Sequence, residues 1–144
     1  MMRVLAGALA GYVFFAFTGA VLLYGLLSYI GPEHLLKPGQ PAIAEIWLVV
    51  SLFLTGWLAG MAGKIATKVA DESASAILLG ILVAVSGFAI LPFGGPAGLE
   101  LADIERMSRF QWLAHTHMPD WYASTLPLFA AAFVGYGGLK SRRY

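Results

Sequence analysis

The sequence predicts an all-α integral membrane protein: a four-helix bundle with both termini cytoplasmic and a short amphipathic interfacial helix between the third and fourth spans. Three observations carry that expectation. The 144 residues are 59% hydrophobic and only 12% charged, with a mean hydropathy of +0.76, which leaves too little polar surface to cover a water-soluble domain. Four apolar segments stand apart, each close to the ~20 residues a helix needs to cross ~30 Å of hydrocarbon. None alternates strictly between polar and apolar, which excludes a barrel, and backbone groups in hydrocarbon must be satisfied inside their own segment, which leaves helix. The whole chain, 1–144, is expected to form a single transmembrane domain.

The first span is expected over residues 4–29. Its opening resembles a signal peptide, with Arg3 ahead of an apolar run, but the run from Val4 to Leu27 is much longer than the ~7–15 residues of a cleaved segment. It is read as an uncleaved span. "GPEHLLKPGQP", from Gly31 to Pro41, is dense in proline and glycine and reads as a loop. The second span is placed at 43–63. "KIATKVADE", Lys64 to Glu72, is short and charged, so spans two and three form an antiparallel hairpin. The third span is 73–91 and the fourth 121–139.

Between spans three and four, "PFGGP" marks a turn and "LADIERMSRFQW" follows. At 100° per residue, Leu101, Ile104, Met107 and Trp112 share one side of a helix over 101–112, with Asp103, Glu105, Arg106 and Arg109 on the other. Glu105 and Arg109 form a favourable i,i+4 pair. Such a helix lies in the interface or caps the bundle. Orientation follows from the basic residues near span ends. Arg3, Lys64, Lys68, Lys140, Arg142 and Arg143 outnumber Lys37, Arg106 and Arg109, placing the first group in the cytoplasm. Trp47, Trp112, Trp121 and Tyr122 gather at the opposite boundary as interfacial anchors. A bacterial inner (cytoplasmic) membrane is the expected location, multi-pass.

The chemistry expected of the chain is sparse. There is no cysteine, so disulfide exchange, thiolate metal sites and iron–sulfur clusters are excluded. A net charge of +1 gives no reason to expect nucleic acid. Within the spans the only ionisable candidate is Glu45, near the outer start of span two. Asp120 occupies the matching place before span four, stabilised at a helix N-terminus by ~0.3–1 kcal/mol. The stretch "AHTHMPDWY" crowds His115 and His117 beside Asp120. Spacing i,i+2 separates the two imidazoles on a helix. With His34 they form a weak candidate set for Zn or Cu. Pro119 and Asp120 already have structural work as a helix start. No catalytic residue, metal or cofactor is expected; contact with pigment, quinone or lipid needs only shape and a hydrogen bond.

Small residues are plentiful instead. Gly7 and Gly11 mark a face of span one. Gly56, Gly60 and Gly63 do so in span two, Ala76, Gly80 and Gly87 in span three, and Ala131, Gly135 and Gly138 in span four. Lipid tails are as apolar as leucine, so helices associate through the close backbone packing that small residues permit. Spans two and four also match at an offset of 75 residues: Glu45 with Asp120, Trp47 with Tyr122, Gly60 with Gly135, Gly63 with Gly138. Pro127 breaks the match and should kink span four. The expected function is therefore non-enzymatic: an accessory, scaffolding or assembly subunit of a larger membrane complex, or a homo-oligomer, acting through helix–helix packing among lipid and other membrane subunits. The alternatives are a small oligomeric channel or carrier using Glu45, and an outer-face metal or cofactor contact through His34, His115 and His117.

Overall fold

A computed structural model of the chain describes residues 1–38, 43–90, 106 and 119–141, and these are all-helical, with no β-strand among them. Helix α1 is Met2–Gly19. It runs through a π-helical turn, Ala20–Tyr24, into α2, Gly25–Ile30. A short helix, α3, Pro32–Leu35, follows. The long helices α4, Glu45–Ala70, α5, Ala74–Ile90, and α6, Asp120–Ser141, complete the fold. Met2–Leu22 and Glu45–Ala70 are long and apolar enough to cross a membrane, and Ala74–Ala89 is a shorter apolar helix.

Two boundaries correct the sequence reading. The second helix does not end at residue 63 but continues to Ala70. Lys64 and Lys68 turn outward while Ala66, Thr67 and Ala70 are buried, so the charges mark one face of a helix rather than a loop. The helix stops at Asp71, whose φ of 57° is left-handed, a conformation that Asp tolerates better than most residues and that commonly ends helices. The segment read as a loop, Gly31 to Pro41, contains α3. Gly31 adopts φ 84° directly before Pro32, a glycine-then-proline stop between α2 and α3. Leu36 then pairs with Ile43 in an isolated antiparallel bridge. The expected interfacial helix over 101–112, with Trp112, and the two histidines His115 and His117 lie outside the described residues; only Arg106, in a turn and exposed, is described there.

The four long helices pack in the order α1–α4–α6–α5, with α4 and α5 also touching across the middle. The core between them is built mainly of small side chains: Ala8, Ala59, Ala62, Ala66, Ala76 and Ala130, with Leu79, Val83 and Val134. Many large apolar residues face outward, although Leu48, Leu58 and Leu79 are buried. Leu5, Leu9, Val13 and Phe17 run along α1, Phe53 and Trp57 along α4, Ile77, Ile81 and Val85 along α5, and Leu128 and Tyr136 along α6, all exposed. A second cluster at the Glu45 end joins Ile43, Leu48 and Tyr122 with Leu36, Trp47, Leu52 and Leu126 around them.

Candidate functional site

Among the described residues the seam between α4 and α6 is closely packed, and glycine makes it possible. A methyl group on Gly63 would strike the Val134 carbonyl, and one on Gly137 would strike the Gly60 carbonyl. One on Gly56 would meet the Phe129 ring at 2.8 Å. Gly138 leaves room for Ala76 of α5 and Thr67 of α4, so one glycine accommodates two neighbours. The other interfaces follow the same rule. Gly7 faces the Ala66 carbonyl and Ala70, and Gly11 faces Leu79 and the Ala62 carbonyl. Gly80 lies against the Ala131 carbonyl and Gly87 against the Pro127 ring. Backbone carbonyls brought this close to Cα atoms gain dispersion contacts and weak Cα–H···O bonds.

Most of the small residues singled out in the sequence therefore lie at helix interfaces: Gly7, Gly11, Gly56, Gly63, Gly80, Gly87 and Gly138, with Ala76 buried against Gly138. Gly60 is half-buried and presents its carbonyl to Gly137. Gly135 is a correction. No described neighbour comes within 4 Å of a methyl placed on it, because the buried face of α6 runs through Pro127, Ala130, Val134, Gly137 and Gly138. Gly137, on that face, was missed by the sequence reading. The run Gly135–Tyr136–Gly137–Gly138 offers a glycine on either side of the helix, and apolar periodicity does not choose between them.

At the Glu45 end, polar groups fasten the chain between α3 and α4. Lys37 Nζ lies 3.1 Å from Glu45 Oε1. Trp47 Nε1–H donates to the His34 carbonyl at 3.0 Å, and the Ala44 N–H donates to the Leu35 carbonyl at 2.8 Å. Leu35 beneath them is fully buried. Glu45 is thus an exposed carboxylate at the start of α4, partnered by a loop lysine that the sequence reading did not pair with it. Its side chain is 74% exposed, so the pair contributes at most ~1 kcal/mol. Asp120 begins α6 and is exposed; the Ser124 hydroxyl donates to its carbonyl at 2.9 Å. Helix α6 continues through Pro127 to Ser141.

Trp121 is half-exposed, but Tyr122 corrects the sequence reading. It is buried in the bundle, and its hydroxyl lies 2.6 Å from Ser51 Oγ. The Ser51 hydroxyl donates to the Leu48 carbonyl at 2.8 Å. Its one proton is thereby committed, so Tyr122 O–H donates to Ser51. A buried phenol needs such a partner, and Ser51 lies one turn past Trp47 on α4 where α6 begins. Thr55 and Thr67, further along α4, are buried hydroxyls with no hydrogen-bond partner among the described residues. His34 is exposed on α3, and among the described residues no three His, Asp or Glu side chains converge on a possible metal site.

Compared with protein-family models, curated proteins and solved structures, the chain matches none. The arrangement must be interpreted on its own geometry.

Proposed function

We propose that the chain is a multi-pass protein of a bacterial cytoplasmic membrane, its four long helices crossing the bilayer with both termini on the cytoplasmic side. In this reading it is a non-enzymatic accessory, scaffolding or assembly subunit of a larger membrane complex, working by helix packing. The observation that carries the reading is the inverted distribution of size. Alanine and glycine are prominent in the interior, beside the buried Leu48, Leu58 and Leu79, while Phe17, Phe53, Trp57, Ile77 and Ile81 are among the large apolar side chains exposed on the outside. In water this exposes a large apolar area at ~25 cal/mol per Å² and marks an interaction surface. In hydrocarbon it costs nothing, and close backbone packing becomes the main cohesive term.

The packing carries the functional half of the proposal as well. A bundle held together by glycine seams has fixed helix positions and presents rigid apolar faces to neighbours. The test is crosslinking in native membranes followed by purification of the full chain in mild detergent. A defined partner, either another membrane subunit or a second copy, is the expected result. A monomer that crosslinks to nothing overturns the subunit reading.

A further inference from the structure

On the outer side of the α4–α6 seam, the two helices border a groove with a polar order of its own. Four residues advance a helix by about 400°, so each fourth residue sits about 40° further round. Gly60 faces α6, where Gly137 packs on its carbonyl. Lys64 therefore flanks the seam on its outer side, and Lys68 follows one turn later; both are exposed. On α6, Lys140 lies seven residues beyond Phe133, about two turns along the same flank. Phe133 is the residue whose carbonyl is nearest to a methyl placed on Gly60, at 3.8 Å. The three lysines thus lie on the two flanks that border one side of the seam, toward its Ala70 end. Below them the walls are Trp57, 60% exposed, Tyr136, 61% exposed, and Phe133, 38% exposed. Gly60 forms the floor and contributes no side chain. Lys140 Nζ stands 5.9 Å from the Tyr136 ring centroid.

Cations at the rim, aromatic rings beneath and an apolar trough with a bare floor repeat the order of a phospholipid: phosphate, glycerol region, acyl chain. We propose that this groove binds one anionic phospholipid, with its phosphate at Lys64, Lys68 and Lys140 and an acyl chain along Trp57 and Phe133. The proposal rests on the membrane reading above but not on the subunit reading. Basic clusters at the cytoplasmic ends of helices attract anionic headgroups, and the groove adds the shape that a diffuse surface charge lacks.

The test uses the purified full chain in mild detergent, mixed with equal amounts of phosphatidylglycerol and phosphatidylcholine, with retained lipid counted by native mass spectrometry. The expected result is one phosphatidylglycerol held in preference. Lys64→Gln/Lys68→Gln/Lys140→Gln lowers that preference at least about tenfold, while Arg3→Gln, at the same end of the bundle but on α1, leaves it unchanged. Unchanged helical circular dichroism shows that the triple variant is folded. If it is not, Trp57→Ala replaces it and is expected to shorten lipid retention. Equal retention by the variants and the parent overturns the proposal, as does equal loss in Arg3→Gln. Displacement by inorganic phosphate as readily as by lipid also overturns it, since the site would then be a phosphate site. A chain that binds lipid but finds no partner in membranes fails the subunit reading alone.

Discussion

Gly137 and Gly135 stand two residues apart on one helix and should respond oppositely to the same substitution. A methyl at Gly137 meets the Gly60 carbonyl, whereas a methyl at Gly135 meets no described neighbour within 4 Å. Gly137→Ala must therefore force α4 and α6 apart, at a cost of about 1–3 kcal/mol, as overpacking does elsewhere. Gly135→Ala should be neutral or stabilising by up to about 1 kcal/mol, because alanine favours helix more than glycine does. Denaturation in mild detergent, followed by circular dichroism, reads both. Equal effects would mean that the seam does not run where Gly60, Gly63, Val134 and Gly137 place it. These two glycines also show how far residues were legible. A small-residue stripe was evident, but Ala131, Gly135 and Gly138 and the observed set ending in Gly137 and Gly138 fit helical spacing equally well. The choice depends on which carbonyl lies opposite, and that is a property of the neighbouring helix. Tyr122 escaped for the same reason: an aromatic at a span end suits the interface, and only Ser51 on another element gives its hydroxyl a buried partner.

Hydropathy revealed the long helices because apolar runs of this length far exceed a strand. Their ends were less legible. Lys64 and Lys68 read as a connection by composition alone, yet their stems can lie along the helix while the ammonium groups reach outward, so α4 keeps its hydrogen bonds to Ala70. Amide hydrogen exchange separates the two descriptions. Residues 64–70 should be protected to a degree similar to 56–63, with fast exchange confined to Asp71, Glu72 and Ser73, where the chain turns. Fast exchange throughout 64–72 would restore the loop and remove Lys64 and Lys68 from any common groove. In the segment between α2 and α4, proline and glycine advertised a turn correctly. What they hid is a local assembly: α3, the Leu36–Ile43 bridge and the Lys37–Glu45 pair. It is stabilised by contacts with α4 that no local propensity encodes.

For the molecule as a whole, the arrangement of size is more informative than any single side chain. Interior alanines such as Ala8, Ala62 and Ala66 are fully buried, while Phe17 and Phe53 are 71% and 72% exposed. A soluble bundle would exchange these roles, burying its largest apolar groups to gain the most transfer free energy. Charge is mixed at both ends, since Arg3, Lys64, Lys68 and Lys140 share theirs with Asp71 and Glu72, and Glu33, Glu45 and Asp120 share theirs with Lys37. The membrane account and the packing account both depend on one proposition, that hydrocarbon bathes the outer faces of all four long helices. The chain has no cysteine, so single cysteines carrying nitroxide labels can be placed at Leu9, Phe53, Ile81 and Leu128 without background. In vesicles, collision with oxygen and with a water-soluble nickel chelate reports the medium at each label. The account predicts high oxygen and low nickel accessibility at all four; labels at these positions that collide freely with nickel would contradict it.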